Sequence, residues 1–213
     1  MTTTAEHLRN TLDGRFRDVK NKMRLELSSE IFRPHYTPNT VIARTKVAEQ
    51  MRIMASRGAA EDGFKKEHGG NGDVGAAVTQ IEMLAMSDLS LMVKAGVQWG
   101  LFGSAIYQLG TKKHWDAWLS DVIELELPGA FAMTEIGHGS DVASIATTAT
   151  YDEATQEFVI HTPFKGAWKD YLGNAALHGR ASTVFAQLIT NGVNHGVHCF
   201  YVPVRDAEGN VER

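Results

Sequence analysis

Apolar residues recur at steps of three or four along the first part of the chain. Leu8, Leu12, Phe16, Val19, Met23, Leu27 and Ile31 fall on one stripe, which predicts a single amphipathic helix. Pro34 ends it, because proline cannot continue the hydrogen-bond ladder. Thr37 followed by Pro38 predicts an N-cap and a first helical position. Val41, Val47, Met51 and Met54 carry this second helix, and Gly58 closes it. Residues 62–75 contain Gly63, Gly69, Gly70, Gly72 and Gly75 among charges, which reads as a connector. The spacing is not that of a phosphate-binding P-loop.

Helical spacing resumes over 76–87, with Val78, Ile81 and Leu84 expected inward. Residues 89–109 are more apolar and rich in small side chains, the pattern of a buried central helix. A glycine costs about 1 kcal/mol in a helix interior, so Gly96, Gly100 and Gly103 imply close approach of another backbone or of a ligand. A short helix over 111–119 offers Trp115 and Trp118 as packing anchors.

At Pro128 the pattern changes to short segments rich in threonine, valine and aromatics. From Phe131 onward, strands are expected over 146–151, 157–161, 184–189 and 197–204, with hairpin loops at 152–156 and 190–196. The fold class expected is α+β: an N-terminal helical domain over 1–127 and an antiparallel β-domain over 128–213. Residues 206–213 read as a polar turn with no strand after it, so the β-domain is expected to be incomplete, with an unpartnered edge.

Composition narrows the function classes. The 213 residues carry a formal net charge of −4, which gives no electrostatic footprint for nucleic acid. No apolar run approaches the ~20 residues of a membrane-spanning helix, and residues 1–10 lack the apolar core of a secretory signal. The single cysteine, Cys199, allows no internal disulfide, which fits a reducing compartment; the cytoplasm is the location expected.

Candidate chemistry concentrates in FAMTEIGHGSD, residues 131–141, where a β-segment runs into a loop with Gly137, Gly139 and Ser140. Such a loop can turn backbone amides and the Thr134 and Ser140 hydroxyls toward a phosphate or the edge of a heterocycle; it can equally be a simple turn. Ser140 is not in a G-x-S-x-G elbow, which disfavours a serine hydrolase. His195 and His198, three apart in a strand, point to opposite faces, and no metal site is expected. Glu135 and Asp141 have no fixed separation that would make them an acid and base pair. Cys199 reads as a packed small residue. In KGAWKDYLGNAALHG, residues 165–179, Trp168 and Tyr171 precede Gly173 and Asn174: either aromatics and a glycine against a flat ring, or a strand with core aromatics and a turn.

FAMTEIGHGSD resembles the flavin-loop motif of the acyl-CoA dehydrogenase and oxidase superfamily. GFKKEHGGNGD, SLMVKAGVQWGLFGSAI and TTATYDEATQEFVIHTP are similar to stretches of acyl-CoA oxidases, bacterial ones in particular, and KDYLGNAALHG and VFAQLI follow in the same order. The resemblance covers nearly the whole chain. It implies a helical domain, a middle β-domain and a C-terminal helical domain, with FAD between the last two. Thr134 would contact the flavin ring and Gly173 would meet it through its backbone. Phe131, Met133, Gly139 and Ser140 would belong to the loop on the flavin side, with Ser140 also meeting the acyl-CoA. Tyr171 stands where dehydrogenases usually have tryptophan beside the flavin, a departure that touches the stacking contact. Ile136 and His138 replace the proline and alanine usual in dehydrogenases, which favours the oxidase branch.

The activity implied is α,β-dehydrogenation of acyl-CoA thioesters in fatty-acid β-oxidation, a carboxylate taking the α-proton while hydride leaves the β-carbon for the flavin. O2 is the acceptor implied; an electron-transfer protein is the dehydrogenase alternative. The family's base is a glutamate of the C-terminal helical domain. No residue here matches it, and Glu135 is not assigned that role. The chain alone is therefore expected to be inactive and to bind FAD weakly; the assembly expected is a homo-oligomer in the full-length form, or a complementary chain supplying the C-terminal helices. A non-catalytic partner subunit is the reading from another class.

Overall fold

The computed structural model describes residues 3–206 and 208–211. The first stripe does not form one helix. Gly14, at φ 60, separates α1 (Thr4–Asp13) from a 3-10 turn and α2 (Arg17–Leu27). This break shifts the register. Met23 is buried, whereas Leu8 and Leu12 stay exposed, Leu12 at 75%. The second helix, α3 (Thr40–Ser56), starts later than Thr37 and Pro38 suggest. Asn39 is its N-cap, its side-chain oxygen accepting from the Val41 and Ile42 amides, while Thr37 Oγ1 accepts from the Asn39 amide. Asparagine two residues on thus takes the capping role, because its oxygen reaches two orphan amides.

The glycine-rich connector folds as two 3-10 turns, and Asp73 caps α4 (Val74–Ser87) through a bond from the Ala76 amide. Of the three residues expected inward on α4, Leu84 is buried; Val78 and Ile81 face out, and Thr79 and Met83 take the inner face. The central helix α5 (89–109) is helical throughout, with a π-helical stretch at Gly96–Gly103. Of its glycines only Gly103 is tight: a Cβ there would meet Val122 at 3.0 Å, whereas Gly96 and Gly100 face open space. α6 (112–123) follows, running four residues beyond the 119 expected. Trp115 bonds the Tyr107 carbonyl, and Trp118 stacks on Tyr201 with centroids 3.9 Å apart.

The sheet is mixed, which corrects the antiparallel expectation while leaving the α+β layout intact. β4 (Ala181–Thr190) is its centre. One edge of β4 pairs parallel with β1 (Gly129–Ala132) and further along with β2 (Thr148–Asp152). The other edge pairs antiparallel with β5 (Val193–Pro203), and β3 (Glu157–His161) adds antiparallel outside β2. Parallel pairing arises here because β1 and β2 reach β4 through long connections rather than hairpins. The β4–β5 turn is tighter than the 190–196 loop expected: Asn191 at φ 50 and Gly192 at φ 76 form a two-residue hairpin whose twist suits the strands. The outer edge of β3 has no partner strand among the described residues. Of the terminal turn expected over 206–213, residues 207, 212 and 213 lie outside the described residues; Asp206 and Asn210 close it by backbone bonding. Among the described residues no helix is long and apolar enough to cross a membrane.

One buried side chain joins helices to sheet. Gln98 of α5 donates to the Val122 and Leu127 carbonyls and accepts from the Gly129 amide at 2.8 Å, at the start of β1. Beneath it lies Phe102, fully buried, against Gly129, where a Cβ would stand 2.1 Å from the ring. Burial of one such ring contributes about 1.5–3 kcal/mol. This joint fixes where β1 points, and β1 leads directly into the residues 131–141 singled out above.

Candidate functional site

Beyond β1 the chain makes a tight turn, Glu135 and His138 exchanging backbone hydrogen bonds of 3.1 Å each. The turn lies against residues 166–170. Ile136 N–H donates to the Trp168 carbonyl at 3.0 Å, Gly137 N–H to Gly166 at 2.8 Å, and Asp170 N–H to Thr134 at 3.1 Å. The two stretches that carried candidate chemistry are thus laced together through their backbones, 34 residues apart in sequence at Glu135 and Lys169.

Glu135 sits at the centre of this joint with its side chain wholly buried, and Lys169 retains only 9% side-chain exposure beside it. Glu135 Oε1 accepts from Thr147 N–H, Thr147 Oγ1 (2.6 Å) and Lys169 Nζ (3.1 Å), and Oε2 accepts from Ala146 N–H at 2.8 Å. Lys169 Nζ also donates to the Met133 carbonyl. Burial pushes the Glu135 carboxyl up, but the bonds from Thr147, Ala146 and Lys169 outweigh it and hold the group below its usual range. Burial likewise lowers the Lys169 ammonium, against the pull of Glu135. A carboxylate held ionised with four donors and no solvent is a structural anchor; it is not poised to take a substrate proton.

The anchor presents two lips. On one, Gly139 and Ser140 are exposed, and among the described residues no hydrogen bond is donated by the Gly139, Ser140 or Asp141 amide. A Cβ at Gly139 would meet open space. Thr134 is half-buried; its carbonyl is spent on Asp170, and its hydroxyl makes no hydrogen bond among the described residues. Met133 is half-buried, and Phe131 packs on Phe185 with centroids 5.0 Å apart. On the other lip Tyr171 is 86% exposed at φ 59, followed by Asn174 at φ 67. Left-handed backbone at two such residues is uncommon and holds only where surroundings enforce it. Here the Asp170 carboxylate accepts from Tyr171 N–H, and Asn174 Nδ2 donates to the Gly129 carbonyl, each at 2.8 Å. The strand with core aromatics considered for this stretch does not form: Trp168 and Tyr171 both face outward.

Gly173 follows Tyr171 on the second lip. It packs against α5, where a Cβ would lie 2.6 Å from Val97 Cγ2, so close helix packing alone requires a glycine there. It also lines a cleft of about 500 Å³ between α3 and α5, with Arg44, Val47, Val93, Lys94 and Val97. The other candidates resolve simply. His195 bonds Thr190 Oγ1 at 2.7 Å and His198 bonds the Gly196 carbonyl. Cys199 is half-buried, its thiol pushed up to about 11 by burial. Among the described residues Ser140 makes no hydrogen bond to a histidine, which leaves the hydrolase reading without support. Sequence reasoning missed Thr147 and Lys169 as partners of Glu135. It also missed Lys94, the one charged residue of 89–109, whose place in so apolar a helix was the available signal.

The model of the acyl-CoA dehydrogenase N-terminal domain matches residues 20–126. Among curated relatives, acyl-coenzyme A oxidase 2, peroxisomal, from Arabidopsis thaliana is 48% identical over 132 residues, covering 59% of this chain and 19% of that protein. The crystal structure of acyl-CoA oxidase 1 from Yarrowia lipolytica superimposes on all of this chain and 31% of its own, with a TM-score of 0.84 and 25% identity. Acyl-CoA oxidase-1 of Caenorhabditis elegans, complexed with FAD and ATP, matches 92% of this chain and 29% of its own, with a TM-score of 0.68 and 25% identity. The chain spans about a fifth of the length of the curated relatives it matches first.

Proposed function

The chain belongs to the acyl-CoA dehydrogenase and oxidase family, and we propose that it forms the flavin-facing part of an acyl-CoA oxidase. The observation that carries this reading is the anchored pair of lips: the residues the family resemblance assigns to the flavin lie on a joint made rigid by Glu135 and Lys169, with unspent donors at the Thr134 hydroxyl and the 139–141 amides. These donors suit the polar edge of a flavin ring and its phosphates. The FAD bound to a similar oxidase from Caenorhabditis elegans supports the cofactor. When bound, FAD supplies the hydride-accepting redox chemistry, while the protein supplies position and polarity.

In this reading Thr134 donates to the ring, and Gly173 approaches it through its backbone while fitting Val97. Phe131 and Met133 support the loop from beneath, Gly139 keeps the approach open, and Tyr171 flanks it. Ser140 holds both cofactor and acyl-CoA. Proton abstraction is assigned to no residue of this chain: none matches the family's base, and Glu135 is committed to four donors. The division near residue 128 marks the boundary between a helical and a β unit, bridged by Gln98. O2 is the proposed acceptor, in keeping with the names of the relatives. The cytoplasm is the proposed compartment, with the peroxisome the alternative raised by the Arabidopsis relative; imaging of a tagged chain separates the two.

Mixing the purified chain with FAD and an acyl-CoA tests the assignment. Flavin binding without substrate-dependent loss of flavin absorbance is expected. Bleaching of the flavin by the chain and substrate alone would contradict the account of Glu135, and absence of any flavin binding would contradict the account of the lips.

A further inference from the structure

At the start of β1 lies a second depression, of about 280 Å³, between α3, residues 125–128 and residues 174–180. It joins the larger cleft at Lys94 and Asn174, which line both. Its charged residues are Arg52, Lys94 and Arg180 against one carboxylate, Glu126. Among the described residues none of these three cations forms an ion pair, although ion pairs elsewhere engage Lys20, Arg24, Arg33, Arg57, Lys65, Lys112 and Lys169.

Lys94 is the centre of the cluster. Its Nζ donates to Asn174 Oδ1 and lies 3.2 Å from His178 Nδ1. Burial and the neighbouring Lys94 push the His178 imidazole down to about 4, so it is neutral at pH 7. A neutral ring that accepts at Nδ1 carries its proton on Nε2, which makes His178 a donor as well. Burial, reinforced by Arg44 and Arg52, lowers the Lys94 ammonium to about 8. The depression therefore offers one remaining ammonium proton, two guanidinium groups and an imidazole N–H. These are donors of the kind that bind oxyanions through short, charge-assisted bonds. Withdrawing a cation from water without a counterion is costly, and a bound anion offsets that cost.

We propose that this depression binds a small oxyanion, a carboxylate or a phosphate, held by Lys94, Arg52, Arg180 and His178. Its volume suits a group of a few heavy atoms rather than a whole nucleotide. The proposal does not depend on flavin binding, since none of these four residues lies on the lips.

Thermal unfolding of the chain in chloride, acetate and inorganic phosphate at equal ionic strength tests it. Phosphate or acetate is expected to raise the melting temperature saturably above chloride, and the anion that does so identifies the preferred oxyanion. Lys94→Met is expected to abolish the saturable rise, and Arg52→Gln to weaken half-saturation roughly tenfold. If Lys94→Met does not fold, the wild-type curve and Arg52→Gln decide. Identical melting in all three salts, or an unchanged saturable rise in both variants, overturns the proposal.

Discussion

Lys169 and Lys94 are both drawn out of water, and the fold treats their charges in opposite ways. Lys169 faces a carboxylate at 3.1 Å, itself satisfied by three further donors, and the ensemble locks two backbone segments together. Lys94 faces an amide, a neutral imidazole and two arginines, and no carboxylate among the described residues neutralises it. A buried charge that is fully partnered explains itself as architecture. Lys94, half-buried and bordered by its own sign in a depression open to solvent, is left for water or a bound anion to satisfy.

The largest effect is expected at the satisfied pair. Glu135→Gln leaves Lys169 buried opposite a neutral group, and chemical denaturation should show a loss of about 3–5 kcal/mol. The double change with Lys169→Met should recover much of that loss; no recovery would break the reading of the pair as a closed unit. A smaller loss, about 1–3 kcal/mol, is expected for Gly173→Ala, because the added methyl overlaps Val97. Adding Val97→Ala should relieve it in the same assay, which would separate the packing role of Gly173 from its proposed role beside the flavin.

Smaller effects are expected from pH. A base whose folded pKa is lowered binds fewer protons folded than unfolded between the two values, so stability rises with pH across that window. For His178 the window runs from about 4 up to 6.5, so its contribution is complete above 6.5 and lost on acidification toward 4. Glu135, held below 4.5, loses its contribution only at still lower pH. For Lys94 the window lies between about 8 and 10.5, and stability should climb across it. Denaturation midpoints measured against pH should lose the acid slope in His178→Asn and the alkaline slope in Lys94→Met. The alkaline effect should stay within about 1 kcal/mol, because a half-exposed charge is screened.

Much of the helical half was legible because amphipathic spacing is local. The errors came where one residue changed the backbone direction, as Gly14 does at φ 60, or where a better cap lay two residues on, as at Asn39. The strands were legible by composition, but their pairing was not. The parallel contacts of β1 and β2 with β4 join residues 39 to 52 positions apart, and no short-range signal encodes them. The same limit applied at the site. The 131–141 loop announced itself through its glycines, whereas the meaning of Glu135 depended on Thr147 and Lys169, which only folding brings within reach. Lys94 was visible as a lone charge in an apolar helix, yet its arginine neighbours come from α3, and its amide and imidazole from the 174–180 segment.

The central claim is that the lips on the Glu135–Lys169 anchor hold a flavin. Equilibrium titration of FAD into the chain, followed by flavin fluorescence, tests it most directly when wild type is compared with Thr134→Val and with Thr37→Val as a remote control. The account predicts that Thr134→Val weakens binding roughly fivefold, the worth of one hydrogen bond, at an unchanged melting temperature, while Thr37→Val binds as wild type does. Equal affinity in all three proteins, or no binding in any, would contradict it.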